Sequence, residues 1–404
     1  MKHIIFIVGL LVVIGCSETT PKPAVPKIKL IESPLTSIAG EDIKIGFNIV
    51  GERMPHLILE NALGISIVQG QKSETAVWYT IPSQFIKKSG TCKWYVYYEQ
   101  QLLDKGEIEI KSKTAVAKLE TYLGPGSIYA GTTDFTMLVT IPTDIYDNPF
   151  ADGTEVLIER QILKTRKKIT SETKDLISYN RIYAVEEASR MLLTSSALGT
   201  SSKELTVDIH PAQATGFDIG YDRNHDYADG NQMITFRTSV IKDMYGNVVE
   251  DGTLATFLIV DKDSIKLTTQ GTTINGVAKA KMLHPEEEDL WKVMAYVTGA
   301  AKSSPILVPF KPAVLDYDIT LSDKGHLINI GPVYSFMKQL IPDGIGVAVQ
   351  IYDQNGLLVA SERKTSRSGF ANFEIPKDQF KTGTYRIVSR IGGIVKEKEI
   401  QLHE

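Results

Sequence analysis

Short runs in which apolar and polar residues alternate fill most of the chain. Apolar residues recur at about every second position in 42–49, 135–141 and 234–240. This period is typical of β-strands with one buried face, and the Gly, Pro, Asn and Asp residues between the runs favour turns. No run keeps the 3.6-residue period of a long helix. The pattern therefore predicts an all-β chain of two-sheet sandwiches.

The chain contains internal repeats. Residues 144–154 (DIYDNPFADGT) match residues 243–253 (DMYGNVVEDGT) at a constant offset of 99, and the strands before the two copies also align. A weaker third copy places residues 340–344 on 248–252. The repeat has the length of one Ig-like sandwich, so the sequence predicts tandem domains.

The shared motif predicts a tight turn at the end of a strand. The Asp243 carboxylate can accept hydrogen bonds from backbone amides of the turn, and Gly246 supplies a positive φ without steric cost. Asp147 takes the place of that glycine in the earlier copy, and Asp tolerates the left-handed region better than most residues. We expect both turns to form and to fix the register of the strands that they join.

A separate match relates the two ends of the chain, because residues 81–94 resemble residues 375–387. Together the repeats predict four Ig-like sandwiches of the usual size. The expected organisation is a lipoprotein signal peptide at 1–15, a lipidated Cys16 and Pro-rich tether at 16–27, and Ig-like domains at 28–112, 113–217, 218–312 and 313–404.

The N-terminus predicts export. Lys2 precedes twelve uncharged residues, 4–15, which suit a cleaved signal peptide and are too few for a spanning helix of about 20 residues. The run Val-Ile-Gly-Cys at 13–16 resembles a bacterial lipobox. That resemblance implies that Cys16 is acylated, with chains such as palmitate, and becomes the first mature residue. The alternative is an ordinary secretory signal followed by a coincidental cysteine.

The same resemblance bears on location. Ser17 stands where an aspartate would favour retention in the inner membrane, so the outer membrane is expected, with the surface and periplasmic faces both open. Net charge is −4, spread along the chain, which argues against nucleic acid as a partner. Cys92 is the only other cysteine. Alternation places it on one strand face with Trp94, Val96 and Tyr98, as a small buried hydrophobe.

Motifs of catalysis are absent from the sequence. It contains no His-Glu-x-x-His, Gly-x-Ser-x-Gly, phosphate-binding glycine loop or paired Cys-x-x-Cys motif, and its seven histidines are scattered. We therefore expect a protein that is not an enzyme and has no catalytic residues or organic cofactor.

One acidic cluster is a candidate calcium site, because calcium prefers six to eight oxygen ligands. Its residues are Asp218, Asp222, Asn224, Asp226 and Asp229. Tyr227 and Met233 stand where an EF-hand would have glycine and a bidentate glutamate. The alternative is an acidic turn between two domains, and bound calcium would stiffen that hinge.

Aromatic residues are concentrated in the first predicted domain. Trp78, Tyr95 and Tyr97 are candidate binding residues, because exposed aromatic rings stack on sugars or anchor protein interfaces. Tyr95 and Tyr97 should lie on the strand face opposite Cys92. The alternative is that these residues simply suit a half-covered strand.

Residues 228–247 and 275–299 resemble the opening and later strands of the bacterial Ig-like (Big-1-like) repeats of the invasin/intimin class. The match is partial over 115–220. The resemblance implies a rod of Ig-like domains used for surface adhesion or protein binding, with a lipid in place of the family's β-barrel anchor and with an unknown receptor. Two alternatives are an accessory lipoprotein of an envelope-spanning secretion or conjugation machine and a polysaccharide-binding lipoprotein.

Overall fold

The computed structural model describes residues 25–51, 53–74, 76–322 and 325–402. The predicted signal peptide, Cys16 and most of the tether lie outside the described residues. The chain forms two compact units. The first comprises the described residues up to Leu123 with residues 137–181 and 192–205, and the second comprises residues 124–136, 182–191 and the described residues from 206 onwards.

The described residues form strands, joined by turns and one short 3₁₀ helix, Ser83–Phe85. The first strands are β1 (Lys27–Glu32), β2 (Thr36–Ile38), β3 (Ile43–Val50), β4 (His56–Asn61), β5 (Gly64–Val68), β6 (Gly70–Ser73), β7 (Ala76–Ile81), β8 (Gly90–Tyr98), β9 (Gln101–Lys111) and β10 (Lys118–Gly124). They are followed by β11 (Ser127–Tyr129), β12 (Phe135–Thr143), β13 (Glu155–Ile162), β14 (Thr165–Glu172), β15 (Ser178–Tyr183), β16 (Ser189–Ala197), β17 (Thr200–Ser201) and β18 (Leu205–His210).

The remaining strands continue to the end of the described chain. Nine of them are β19 (Ile219–Asp222), β20 (Tyr227–Ala228), β21 (Met233–Thr238), β22 (Leu254–Val260), β23 (Lys266–Ile274), β24 (Val277–Leu283), β25 (Asp289–Val297), β26 (Ala301–Lys302) and β27 (Ile306–Pro312). The last are β28 (Val314–Asp316), β29 (Ile319–Ser322), β30 (Leu327–Ile330), β31 (Tyr334–Ser335), β32 (Gly346–Asp353), β33 (Leu358–Thr365), β34 (Ala371–Glu374), β35 (Gly383–Ile391) and β36 (Ile394–Leu402).

The first unit contains a complete sandwich. Its sheets have the strand orders β1-β3-β7-β6 and β2-β9-β8-β4-β5. Alternate residues of these strands enter one core, in which Phe47 packs edge-on against Tyr79 and Trp94. Cys92 is buried in the same core, as the alternation predicts. Further along this unit, β13 and β14 form a hairpin from Glu155↔Glu172 to Ile162↔Thr165.

The second unit contains a sandwich whose strands follow one hydrogen-bonded path, β19-β21-β24-β23-β22-β25-β27-β20. The path is continuous because β23 pairs with β22 along most of its length and with β24 at its end. Gly271 permits this crossing, since a Cβ there would lie 2.0 Å from the Lys279 carbonyl oxygen. The core includes Phe236, Phe257 and Trp291.

A further core lies at the C-terminal end of the second unit. Sheets β29-β30-β34 and β33-β32-β35-β36 enclose it. Tyr317 is buried there and its hydroxyl donates to the Ser389 carbonyl oxygen at 2.7 Å. The predicted all-β class is confirmed, whereas the four domain boundaries remain predictions. Within the described residues, no helix is long and apolar enough to cross a membrane.

Candidate functional site

The turn of the first repeat copy, Asp144 to Asn148, is organised around one buried carboxylate. Asp144 Oδ1 accepts hydrogen bonds from the backbone N–H groups of Tyr146 at 2.8 Å and Asn148 at 3.0 Å. Asp147 has φ of 58°, so the left-handed residue that the sequence predicts is present. The side chain of Asn148 donates to Asp144 Oδ2 at 3.0 Å, which orients its amide group.

This turn also bonds the loop that precedes β8 in the first sandwich. Asn148 Nδ2 donates to the Lys87 carbonyl oxygen at 2.7 Å, and Asn148 Oδ1 accepts from the Ser89 N–H at 2.9 Å. Asp144 Oδ2 accepts from the N–H of Lys113, in the segment that follows β9. One Asp–Asn pair thus joins three stretches of the first unit, and we call this arrangement the clasp.

The second repeat copy forms the same clasp within the second unit. Asp243 Oδ1 accepts from the N–H groups of Tyr245 and Asn247, both at 2.9 Å. Asn247 donates to the Glu186 carbonyl oxygen at 2.7 Å and accepts from the Ala188 N–H at 2.9 Å. The remaining partner is the Ala212 N–H, 2.8 Å from Asp243 Oδ2.

The partners of the two clasps are themselves related by the repeat. Lys87, Ser89 and Lys113 correspond to Glu186, Ala188 and Ala212, each at an offset of 99. All six contribute backbone atoms, and their side chains differ in charge and size. A search for matching residue types therefore finds the Asp–Asn pair but misses its partners.

A tyrosine supports each clasp. The ring of Tyr146 lies over Gly40, where a Cβ would be 2.5 Å from its hydroxyl oxygen, and Gly40 has φ of 78°. Tyr245 lies over Gly131, where the corresponding distance is 3.1 Å. In both copies a glycine of the contacted segment therefore provides room for the ring.

Both clasp carboxylates are ionised at neutral pH. Burial raises the pKa of Asp144, but hydrogen bonds from the Lys113 N–H and from the amides of Asn148 and Tyr146 outweigh it and hold the pKa below its ordinary value. Burial likewise raises the pKa of Asp243, and its hydrogen bonds lower it overall. A carboxylate that accepts several N–H bonds favours its charged form.

The third repeat copy keeps the turn and replaces the clasp residues. The Ser335 N–H donates to the Gln339 carbonyl oxygen at 2.8 Å, as Asp243 does to Asn247 at 2.9 Å. Lys338, with φ of 56°, takes the left-handed position. The weak third copy that the sequence indicates is therefore a true structural repeat of the turn.

A different set of contacts surrounds this third turn. Phe336 stacks on Tyr227, with ring centroids 3.8 Å apart and planes inclined by 12°. Arg363 pairs with Glu286. A cleft of about 380 Å³ lies beside the stack, between residues 225–232 and 335–345. We call this group of contacts the aromatic junction.

The structure does not bring the five calcium candidates together around one point. Asp222 pairs with Arg237 at 3.5 Å, and Asp226 pairs with Lys311 at 2.9 Å. The remaining three also bond within the protein: Asn224 donates to Gln232, Asp229 accepts from the N–H groups of Asn231 and Gln232, and the Asp218 backbone bonds Ser239. Over the described ranges, no group of three or more His, Cys, Asp or Glu residues is placed to hold a metal ion. The calcium hypothesis remains a prediction.

The candidate aromatic residues lie on two different sheets of the first sandwich. Trp78 is on β7, and its ring lies over Gly46. Tyr95 and Tyr97 are on β8 of the other sheet, on the face opposite Cys92, as expected. Tyr95 donates from its hydroxyl to Glu60 at 3.1 Å. Trp78 and Tyr95 therefore do not form one binding platform.

Comparisons with known proteins define the fold class. No protein-family model matches the sequence, and no curated protein matches it. The structure of the Escherichia coli adhesin FdeC is similar with a TM-score of 0.51 and 12% identity, covering 70% of this chain and 96% of that chain.

Two further solved structures are similar at lower scores. Invasin, a bacterial integrin-binding protein, has a TM-score of 0.44 and 11% identity, covering 94% of this chain and 79% of that chain. The Yersinia pseudotuberculosis adhesin InvE has a TM-score of 0.27 and 14% identity, covering 56% of this chain and 70% of that chain.

The likeness to FdeC supports the fold alone, at 12% identity. The chain has a tandem Ig-like fold similar to that of FdeC, and tandem Ig-like sandwiches are what the alternating strands and the repeated turn predict. Function is a separate question, because Ig-like sandwiches serve many purposes.

Proposed function

We propose that this protein is a non-enzymatic, lipid-anchored protein of the bacterial cell envelope whose Ig-like domains serve surface adhesion or protein binding. The observation that carries the proposal is the repeated clasp. It joins the repeated turn to a loop earlier in the chain through the same polar contacts, twice, with the same geometry. A protein that presents a binding domain away from its anchor gains from such fixed junctions, because less freedom is lost on binding.

The anchor belongs to the proposal as well. Acylation of Cys16 would hold the chain on a membrane, since several acyl chains anchor stably whereas one binds only marginally. Metabolic labelling with an alkyne-bearing palmitate tests this directly. We expect label on the wild-type protein and none on C16S, with the variant released to the soluble fraction. A labelled C16S protein would contradict lipidation at this residue.

Adhesion is tested on intact bacteria that produce the protein. Added proteinase K should remove the C-terminal domain from intact cells, and cells that produce the protein should bind a surface that cells with an empty vector do not. A protein protected until the outer membrane is opened would contradict surface adhesion. That outcome would favour the accessory role in an envelope-spanning machine, to be followed by recovery of its envelope partners.

A clasp variant links adhesion to the structure. D243N keeps the size of the side chain and replaces one of its two acceptor oxygens by an NH₂ donor, so the amide cannot satisfy all of the same N–H groups. We expect surface display to persist and binding to fall. The matched control is S335A, because Ser335 takes the corresponding position of the third turn, and this variant should bind as the wild type does.

A further inference from the structure

The outer strand of one sheet in the first sandwich is unusual among the sheet edges. Strand β5 ends the order β2-β9-β8-β4-β5, and in the described chain it pairs with β4 alone. Its sequence is Gly-Ile-Ser-Ile-Val, without a charged residue or proline. Natural sheets usually protect such an edge with charge, proline, a bulge or a covering segment.

Other edge strands of the described chain are protected in this way. Charged residues are carried by β1, β14, β33 and β36. Strand β29 has no charge of its own, but Lys398 donates its ammonium group to the Ile319 carbonyl oxygen at 2.7 Å. Strands β2 and β11 have only three residues each. Strand β5 has none of these protections.

Two isoleucines of β5 are exposed on the outward face of the sheet. Ile65 is 74% exposed and Ile67 is 64% exposed. The row of Ile67 continues with Ile58 on β4 and Tyr95 on β8, whereas the row of Ile65 continues with Glu60 on β4 and Lys93 on β8. An exposed, uncharged edge strand that carries exposed isoleucines favours association with another strand.

We propose that β5 pairs in an antiparallel manner with β5 of a second copy of this chain. A two-fold axis at Ser66 sets Ile65 opposite the partner's Ile67 and Gly64 opposite the partner's Val68, so all five residues pair. The outward row then reads Tyr95, Ile58 and Ile67 in one copy, followed by the partner's Ile65, the partner's Glu60 and the partner's Lys93.

Charge selects a second copy as the occupant. In a two-fold pairing each strand meets its own sequence, and like charges placed opposite each other destabilise a sheet. Self-pairing of β14 would place the run Arg166 to Lys168 against an identical run, whereas β5 places no charge opposite another. Its edge is therefore self-complementary.

The expected dimer is weak. A five-residue edge buries much less than the roughly 800 Å² per partner of a standard stable interface, so we expect dissociation constants on the order of 100 μM in solution. Two copies held on one membrane would meet at a far higher effective concentration. That consequence rests on the proposed anchor, whereas the pairing in solution does not.

Sedimentation velocity of the chain from Ser17 onwards, at concentrations up to roughly 300 μM, tests the pairing. We expect a reversible dimer whose dissociation constant rises at least tenfold in I67K. The matched control is I274K, which changes an isoleucine 69% exposed on β23, an inner strand. A chain that stays monomeric throughout, or a dimer unchanged by I67K, would overturn the proposal.

Crosslinking tests the register. Cys92 is buried in the core, so S66C would supply the one thiol of the described chain at this sheet edge. With copper phenanthroline as oxidant, two such thiols should join as a disulfide-linked dimer, and I274C should not. Absence of the S66C dimer overturns this pairing. A monomer whose binding to cells is lost in I67K would assign the edge to a strand of another protein, which also overturns it.

Discussion

The two clasps and the aromatic junction show the same turn used in two ways. All three turns share their backbone hydrogen bonds and a left-handed residue at the same position, Asp147, Gly246 or Lys338. Only the first two add the Asp–Asn pair. The third has Ser335 and Gln339 instead, beside a stacked Tyr227–Phe336 pair. The backbone of the turn therefore does not require the clasp residues.

The two arrangements differ in physical character. Each clasp is a network of polar groups around a buried carboxylate, in which every bond has a required direction, so loss of one member leaves others unsatisfied. The aromatic junction relies on stacking and on the exposed ion pair between Glu286 and Arg363, and exposed ion pairs contribute little to stability. We expect substitutions at the clasps to cost more.

The largest effect is expected for D243A. It leaves the N–H groups of Ala212, Tyr245 and Asn247 without their acceptor, at a cost of about 3 kcal/mol in the free energy of unfolding. Chemical denaturation followed by tryptophan fluorescence measures this, because Trp291 is buried in the sandwich that carries the turn. S335A is the control and should cost below about 1 kcal/mol. Equal losses of stability in D243A and S335A would contradict the claim that the clasp residues matter more than their counterparts in the third turn.

Acid should weaken the clasps selectively. The folded pKa values of Asp144 and Asp243 lie below the unfolded value of about 3.9, so both carboxylates stabilise the fold above that pH. Their contribution is lost as the pH falls through the folded pKa values. The stability difference between wild type and the double variant D144N/D243N, measured by denaturation at each pH, should therefore shrink below about pH 4. A constant difference would contradict this assignment.

A smaller loss is expected at the aromatic junction. F336A removes the ring that stacks on Tyr227 and should cost about 1 kcal/mol, because Phe336 is partly exposed and a stacked pair adds about that amount. Thermal melting of the whole chain measures it. F336L, which keeps apolar volume and loses the ring, should recover part of the loss. A loss of stability in F336A as large as that in D243A would contradict the expected difference between the clasps and the aromatic junction.

The smallest effect is expected from removing calcium. Asp226 and Asp222 already have cationic partners in Lys311 and Arg237. EDTA should leave the melting temperature unchanged, and added calcium chloride should not raise it. A rise with calcium that is lost in D226N would support the site predicted from the sequence.

The sequence predicts the turn and misses what the turn holds. Asp243 as an acceptor of turn amides, and the positive φ at Gly246 and Asp147, follow from side-chain chemistry and steric limits. The loops that the clasps bind contribute only backbone atoms, such as the Lys87 carbonyl oxygen and the Ala188 N–H. Their side chains carry no signal, so only the offset of 99 marks them.

The sequence pattern also does not show which face of strand β5 is exposed. Ile65 and Ile67 alternate with Ser66 as core residues would, and alternation states that one face is apolar without saying which face is buried. The pairing of β5 with β4 decides it, since Leu57 and Leu59 take the inner face and Ile58 the outer. The prediction of a signal peptide at 1–15 depends on the N-terminal sequence alone, because those residues lie outside the described ones.

Amide hydrogen exchange at Ser89 and Ala188 tests the clasps most directly. These N–H groups donate to the side chains of Asn148 and Asn247, respectively. We predict slow exchange of both in the wild type, fast exchange of Ser89 alone in N148A, and fast exchange of Ala188 alone in N247A. Fast exchange of both in the wild type, or no change in either variant, would contradict the claim that the Asp–Asn pairs hold these loops.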